Sequence, residues 1–443
     1  MIIGLKFSNW KSFSEETVFS AMTSGKRYLN RVPQLSVRPS LHLSPIAVLY
    51  GGNASGKTNF ISFLRYIQKL VCSPVPDEMD KAVIFRDGCK FHALDVPLTF
   101  ELTFFASDET GTGDGDMYVY SAEILPTRFL SEKLEVINVN AATKTIFKRN
   151  ADEITFGESL GRNNPQADAI RTLINPNQSF LGKGGRKLIP LMPAYNWFSS
   201  QLMVLDGDTS RVNSWYPKDE NRMRASRWLS GYDTGVSELF WEEISFAELP
   251  GEIQQDLERN RLLDGGTVEF SSKRGTHYMV TSADGRYNVR RLSTRHRGGE
   301  KRNSLDFGMD NESYGTQRMV ELFPCFSELC TAKSRKIIVI DEFDKSWHYM
   351  LSKRMLQEYL RSCDSQSRSQ LIVTSHDLML MDQEIFRLDE IWLTTREENG
   401  MSTLTTLGGS GIRYDKDIRK MYLEGRLRGV PRLVGDMGLN RED

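Results

Sequence analysis

The sequence is poor in cysteine. Its 443 residues include five cysteines, and no two of them form a C-x-x-C pair. An odd number of cysteines in a chain expected to stay in the cytoplasm argues against a disulfide framework. The five cysteines are therefore predicted to be packing residues.

The sequence also lacks long apolar runs. None approaches the roughly 18–20 residues that a membrane-spanning helix needs. The opening Met-Ile-Ile-Gly-Leu-Lys does not have the arrangement of a secretion signal. We therefore expect a cytoplasmic protein that has no contact with membranes.

A net charge of −1 leaves the whole chain without a dominant sign. Residues 286–302 are an exception, because they hold seven basic residues against only Glu300: Arg286, Arg290, Arg291, Arg295, Arg297, Lys301 and Arg302. Such a cluster could meet the phosphates of a nucleic acid. A solvated loop or strand edge would explain the same pattern equally well.

Residues 46–58 read IAVLYGGNASGKT, an apolar run followed by the pattern G-x-x-x-x-G-K-[ST]. The pattern predicts a phosphate-binding loop between a strand and a helix, with Lys57 on the β- and γ-phosphates of ATP and Thr58 on Mg²⁺. An apolar periodicity after the loop supports the helix. The candidate nucleotide-binding residues are Gly51, Asn53, Ala54, Ser55, Gly56, Lys57, Thr58 and Asn59.

Residues 337–342 read IIVIDE, four β-formers followed by two carboxylates. The run predicts a buried parallel strand with its acids at the carboxyl end, where open α/β sheets place their chemistry. Asp341 suits the Mg²⁺ shell. Glu342 suits a general base that activates the attacking water.

Residues 371–377 read LIVTSHD, another short apolar strand that ends in polar residues. His376 is predicted to lie on the same rim as the phosphates and to contact the γ-phosphate or the attacking water.

Residues 311–318 read NESYGTQR and are followed by apolar residues at helical spacing. Ser313 and Gly315 would open a second helix that can bind an anion. A second phosphate cradle in one chain is understandable if it serves the nucleotide that another copy holds. The sequence therefore predicts a dimer.

Together these motifs resemble the ABC-type ATPase heads of the SMC/RecF group. Within that group they are similar to the AAA-family ATPases related to the OLD proteins, which are common in bacterial anti-phage defence operons. The opening residues 5–13 also resemble the first strand of the SMC/RecF heads, and residues 422–431 resemble the ending of this branch.

The resemblance implies an ATPase that uses ATP and Mg²⁺, with Thr58 and Asp341 at the metal, Glu342 as catalytic base and His376 as switch histidine. Ser313 and Gly315 would contact the γ-phosphate across a dimer interface, with Asp344 and Ser346 in the loop that joins the two sites. Tyr314 departs from the glycine of transporter-type signatures. The glutamine that usually adds a metal ligand has only weak candidates, namely Gln166, Gln178 and the nearby Glu123.

The expected fold class is α/β: an ABC-type ATPase head, with a P-loop core of mixed sheet and an antiparallel β subdomain, plus a mainly helical insertion. Lys57 and Asp341 lie 284 residues apart, so a large segment must be inserted between the two motifs. We expect an N-terminal lobe at residues 1–160, the insertion at 161–264 and a C-terminal lobe at 265–443.

Two functions fit these expectations. The first is an ATP-driven sensor or scaffold in phage defence, which forms a homodimer or larger homo-oligomer. It would hold a separate nuclease effector of Toprim type and release it on meeting a phage-encoded trigger protein. The second is a RecF/SMC-like DNA-repair ATPase that binds nucleic acid through residues 286–302. A transporter subunit fits the motifs least well.

Overall fold

The computed structural model describes residues 1–23, 41–85, 87–90, 92–93, 95–106, 115–138, 142–161, 164–205, 216–272, 276–298, 304–413 and 416–430. The chain divides into two compact units. Residues 1–206, 329–344 and 352–443 form the first unit, and residues 207–328 and 345–351 form the second. In the part of the chain described, no helix is long and apolar enough to cross a membrane.

Two sheets build the first unit. One has seven strands in the order β2-β1-β4-β5-β6-β7-β8, and the other has six in the order β18-β17-β3-β16-β15-β9. The strands are β1 (Ile2–Ser8), β2 (Thr17–Ser20), β3 (Ile46–Tyr50), β4 (Leu98–Ala106), β5 (Asp116–Leu125), β6 (Arg128–Ile137), β7 (Thr143–Asn150), β8 (Glu153–Phe156), β9 (Leu202–Leu205), β15 (Ile337–Ile340), β16 (Gln370–Thr374), β17 (Ile391–Arg396) and β18 (Ser402–Thr406).

The helices of the first unit are also numbered in the order of the sequence. They are α1 (Lys57–Cys72), α2 (Pro165–Leu173), α3 (Phe180–Gly184), α4 (Met192–Asn196), α8 (Tyr349–Ser362) and α9 (Ile418–Leu423), where α8 is assigned to this unit from Ser352 onward. A π-helical turn, Trp197–Gln201, continues α4.

The second unit contains an antiparallel sheet in the order β10-β13-β12-β11, with β14 also paired to β13. Its elements are β10 (Val236–Ile244), β11 (Thr267–Ser271), β12 (His277–Ala283), β13 (Arg286–Arg297), β14 (Ser304–Gly308), α5 (Asp219–Ser230), α6 (Gly251–Arg259) and α7 (Tyr314–Leu329). The last residue of α7 belongs to the first unit.

The six-stranded sheet carries the predicted catalytic strands. β9, β15, β16, β3 and β17 run parallel, and only β18 is antiparallel. Every residue of β3, β15 and β16 is buried, as expected for parallel strands covered on both faces. The seven-stranded sheet is antiparallel throughout. The two sheets confirm the predicted α/β class with a mixed core sheet and an antiparallel β subdomain.

The first unit's core joins the antiparallel sheet to α1. Phe7 on β1 stacks on Phe63 of α1 with ring centroids 4.2 Å apart, and Trp10 meets the same ring at 5.3 Å. The apolar positions predicted to face inward on this helix are all buried: Phe60, Phe63, Leu64, Ile67 and Leu70. This packing fixes the helix that begins at the phosphate loop.

Residues 161–264, expected as a mainly helical insertion, contain the helices α2 to α6 but also the strands β9 and β10. β9 lies within this range and pairs with β15 in the core sheet. Residues 236–244, which fall within the range expected to be mainly helical, form β10 and pair with β13 instead. The helical expectation was wrong for these residues because a stretch rich in aromatic and β-branched residues satisfies a helical spacing while favouring a strand.

Candidate nucleotide-binding site

The phosphate loop runs from the end of β3 to the start of α1. Gly56 stands just before the helix with a φ of 113°, a backbone conformation that residues with a side chain rarely adopt. A Cβ atom there would also lie 2.6 Å from the Ser402 hydroxyl oxygen. Glycine is required at this position, and the loop leads directly into a helix N-terminus, which attracts phosphate.

Lys57 folds back over this loop. Its ammonium group donates hydrogen bonds to the carbonyl oxygens of Gly51, at 2.7 Å, and Gly52, at 3.0 Å. The residue is only 6% exposed. Burial lowers the pKa of Lys57 to about 8, although the carboxylates of Asp341 and Glu342 oppose that shift. The lysine is therefore a desolvated cation facing acids, and phosphate oxygens would stabilise its charge.

Hydrogen bonds from neighbouring segments hold the loop in place. The Ser55 and Thr394 hydroxyls lie 2.6 Å apart, and the Asn59 side-chain amide donates to the Ser12 hydroxyl at 2.7 Å. Asn53 is exposed at the loop tip. Among the predicted nucleotide-binding residues, Ser55 and Asn59 thus use their side chains within the protein. The Ser55 backbone N–H also donates within the loop, to the Gly52 carbonyl oxygen at 3.3 Å.

A further contact comes from the end of the described chain. The Gly52 backbone N–H donates to the carbonyl oxygen of Gly429 at 3.0 Å, and the Tyr422 hydroxyl donates to the same oxygen at 2.6 Å. The tail at residues 422–431, which the sequence associates with one branch of ATPases, therefore contacts the phosphate loop directly through Gly429.

The two predicted carboxylates follow β15. Asp341 is buried, and its Oδ1 accepts a hydrogen bond of 2.5 Å from the Thr374 hydroxyl. Glu342 is partly buried and has a φ of 48°, an uncommon conformation for a residue other than glycine. Its backbone N–H donates to the same Thr374 hydroxyl oxygen at 2.8 Å. One threonine of the neighbouring strand therefore contacts both residues.

The loop that carries His376 is fixed by Asp344. The Oδ2 atom of Asp344 accepts hydrogen bonds from the Ser375 hydroxyl at 2.9 Å, the His376 backbone N–H at 3.2 Å and the Asp377 backbone N–H at 2.8 Å. The His376 imidazole remains exposed. Its pKa lies below the ordinary value, first because the imidazole is partly desolvated and second because of the Lys57 charge. The imidazole is thus kept neutral near pH 7, able to accept or donate one hydrogen bond.

The predicted metal site consists of Thr58 and Asp341. Thr58 is the second residue of α1 and is exposed, whereas Asp341 is a buried carboxylate. Across the described residues, no cluster of three or more His, Cys, Asp or Glu side chains could hold a metal ion. A hydroxyl and one carboxylate fit Mg²⁺ of the kind that takes its other ligands from phosphates and water.

Ser313 and Gly315 lie in the second unit, at the start of α7. The Ser313 hydroxyl accepts a hydrogen bond from the Thr316 backbone N–H at 3.1 Å, so it caps the helix. The Gly315 carbonyl accepts from the Trp347 indole at 2.9 Å. Tyr314 points outward and is 81% exposed. The signature is therefore an ordered helix start with an exposed aromatic ring.

Strand β13 contains the five arginines of the basic cluster, and acids on neighbouring strands face three of them. Arg291 pairs with Glu242 at 2.8 Å, and Arg290 lies 3.5 Å from Glu243. Arg295 pairs with both Glu238 on β10 and Asp306 on β14, at 2.5 and 2.8 Å. These arginines do not form an uncompensated positive surface, which argues against the predicted nucleic-acid contact. Glu300, Lys301 and Arg302 lie outside the described residues.

The glutamine candidates for an additional metal ligand receive no support from their contacts. The Gln178 side chain is fully buried and donates to the Val75 carbonyl and the Asp77 carboxylate, at 2.5 and 2.8 Å. Gln166 lies in the first turn of α2. Glu123 lies on β5, which pairs with β4 and β6. The segment that follows β9, the strand next to β15, lies outside the described residues.

The structure thus gathers Lys57, Asp341, Glu342 and His376 in the first unit, while Ser313 and Gly315 belong to the second. Sequence reasoning missed Thr374 as a residue of the site. A hydroxyl at the end of an otherwise apolar strand, next to the Asp-Glu strand, was the signal available.

Comparison with known proteins gives one family. The family model AAA_21, described as "AAA domain, putative AbiEii toxin, Type IV TA system", matches residues 46–382. None of the curated proteins matches the chain.

Solved structures are similar at low identity. An SMC head bound to the C-winged helix domain of ScpA is 12% identical over 92% of this chain and 98% of its own, with a TM-score of 0.41. An SMC head domain with a coiled coil and joint from Pyrococcus yayanosii is 10% identical, over 96% of this chain and 99% of its own, with a TM-score of 0.40. The recombination mediator protein RecF-ATPrS is 11% identical over 91% and 98%, with a TM-score of 0.29.

Proposed function

Because the chain belongs to the AAA_21 family of AAA-domain proteins, we propose that it binds ATP with Mg²⁺ and hydrolyses ATP. The observation that carries this proposal is the site around Lys57. A buried ammonium group lies over the carbonyl oxygens of a phosphate loop, and the carboxylates of Asp341 and Glu342 raise its pKa against the effect of burial.

Each residue of the site has a role in this chemistry. Lys57 and the loop N–H groups bind the phosphates, Glu342 accepts a proton from the attacking water, and His376 contacts the γ-phosphate. Thr58 and Asp341 would hold Mg²⁺, which when bound neutralises charge on the phosphate oxygens. The remaining γ-phosphate contacts are assigned to Ser313 and Gly315 of a second copy of the chain.

We expect two inactive variants to restore each other's activity if Ser313 acts on the partner's nucleotide. Lys57→Ala and Ser313→Arg are each expected to abolish turnover. A dimer that contains one copy of each has one site with both changes and one site with neither. An equal mixture that exchanges freely should therefore regain about a quarter of wild-type turnover, measured as phosphate release.

The matched control combines Lys57→Ala with Asp341→Ala. Both residues lie in the first unit, so every site of such a mixed dimer carries one change and no turnover should return. If Lys57→Ala and Ser313→Arg form mixed dimers without regaining turnover, the shared site is wrong.

For the biological role, we propose a sensor or scaffold subunit in phage defence. In this proposal a nucleotide-dependent homodimer or larger homo-oligomer holds a separate nuclease effector and releases it when a viral trigger protein arrives. The description of the family as a toxin–antitoxin AAA domain supports a role beside a toxic partner. Similarity of the motifs to AriA, the ATPase subunit of PARIS, suggests a Toprim-type nuclease as that partner.

Phage challenge tests this role. The chain is expressed in a bacterial host together with its neighbouring gene, and plating of a phage panel is counted. We expect strongly reduced plating of at least one phage, and full plating when Lys57→Ala replaces the wild-type chain. Protection that persists in Lys57→Ala would contradict an ATP-dependent sensor. Protection that persists when the neighbouring gene is deleted would contradict a separate effector.

A further inference from the structure

Thr374 is the last residue of β16 and is fully buried. The strand lies directly beside β15, with Ile340 opposite Val373. One position further along are Asp341, directly after β15, and Thr374, at the end of β16. The parallel register alone therefore places the threonine beside the Asp341 carboxylate.

The hydroxyl group of Thr374 makes two hydrogen bonds. It donates its proton to Asp341 Oδ1 at 2.5 Å and accepts the backbone N–H of Glu342 at 2.8 Å. The Thr374 backbone carbonyl also accepts the N–H of Phe343 at 3.0 Å. Three consecutive residues after β15 are thus bound to one residue of β16.

These bonds act on a backbone that a free chain would seldom adopt. Glu342 has a positive φ, and such a conformation persists only when surrounding contacts impose it. The hydroxyl of Thr374 supplies one of these contacts at the residue itself. Its bond to Oδ1 also restricts the rotation of the Asp341 carboxylate.

Strand propensity does not account for this hydroxyl. Valine has the same shape and an equally high strand propensity, and the preceding residues Leu371, Ile372 and Val373 are all apolar. A hydroxyl group that is buried away from water destabilises the fold unless it is hydrogen-bonded. The two partners of Thr374 are the two residues to which the chemistry is assigned.

We propose that Thr374 is a positioning residue for the Asp341 and Glu342 carboxylates. It orients Asp341 toward the metal and fixes the backbone from which the Glu342 side chain reaches the attacking water. This inference rests on the proposed ATPase function. In this role Thr374 acts only through its two partners.

The test compares Thr374→Val, which removes the hydroxyl, with Thr374→Ser, which keeps it. We expect Thr374→Val to lower kcat by about 10- to 100-fold and to raise the Mg²⁺ concentration for half-saturation by about tenfold, as for other residues that orient a metal ligand. Thr374→Ser should stay within about twofold of wild type in both quantities.

Two further measurements distinguish a loss of carboxylate positioning from a general loss of protein structure. Half-saturation by Mg²⁺ is read from the thermal stabilisation that a non-hydrolysable ATP analogue gives, so it does not depend on turnover. Analogue binding in EDTA should be the same in wild type, Thr374→Val and Thr374→Ser, because the phosphate loop is intact. Ser352→Ala is the matched control, since its buried hydroxyl has no hydrogen-bond partner among the described residues.

The outcomes are distinguishable. Thr374→Val with wild-type kcat and wild-type Mg²⁺ half-saturation overturns the inference, and so does Thr374→Ser as impaired as Thr374→Val. If Thr374→Val does not fold, Thr374→Ala takes its place, and the Thr374→Ser result still decides. A wild-type protein that neither binds the analogue nor hydrolyses ATP would instead overturn the proposed function.

Discussion

Glu342→Gln is expected to bind ATP as wild type does while hydrolysing it about 10²- to 10⁴-fold more slowly, the usual contribution of a general base. The substitution keeps the size and shape of the side chain. The backbone bond to Thr374, which fixes the loop, is unaffected because it uses the N–H group. What is lost is the carboxylate that takes the proton from water.

Two measurements check this result, namely the single-turnover rate with excess protein and the dissociation constant for ATP. The slowed variant should also accumulate ATP-bound dimers, visible as a larger species by light scattering when ATP and Mg²⁺ are present. Glu153→Gln is the control, since Glu153 is an exposed residue of β8. Unchanged turnover in Glu342→Gln would remove Glu342 from the role of base, whatever the affinity for ATP.

The amino-acid sequence alone was enough to predict the strands that carry this chemistry. β3, β15 and β16 are short runs of β-formers buried on both faces, and such runs leave little choice of structure. The glycine-rich loop was equally predictable, because its pattern of glycines, lysine and threonine is specific to a phosphate-binding turn between a strand and a helix.

Pairing across strands could not be predicted in the same way. The arginines of β13 meet Glu242, Glu243 and Glu238 only because of the register between β10 and β13. These glutamates lie about 50 residues earlier in the chain, within a range expected to be helical. The basic cluster therefore looked uncompensated in sequence.

The part played by Thr374 was hidden for a related reason. Residues 371–377 do not show the register of their strand against β15, and the hydroxyl has a function only next to Asp341. A sequence motif identifies the residues that take part in the chemistry themselves. Residues that hold the motif in place are selected by packing and register, which a single sequence does not display.

Lys57→Ala is expected to weaken ATP binding by about 10- to 150-fold, since a hydrogen-bonded charge contributes roughly 1.5–3 kcal/mol. The loop itself should keep its shape, because the side chains of Ser55 and Asn59 are held by hydrogen bonds to Thr394 and Ser12. Calorimetric titration of ATP into wild type and variant gives the two dissociation constants. Wild-type affinity in Lys57→Ala would overturn the assignment of the phosphate loop.

The same lysine should make ATP binding depend on pH. In the unliganded protein burial lowers the pKa of Lys57 to about 8, whereas phosphate oxygens favour the charged form and raise it. Above pH 8 binding must therefore take up a proton, so affinity should fall with rising pH, by at most about tenfold per pH unit. Lys57→Arg is the matched variant, because arginine stays charged throughout this range and should show no such slope. Equal slopes in Lys57→Arg and wild type would show that another group takes up the proton.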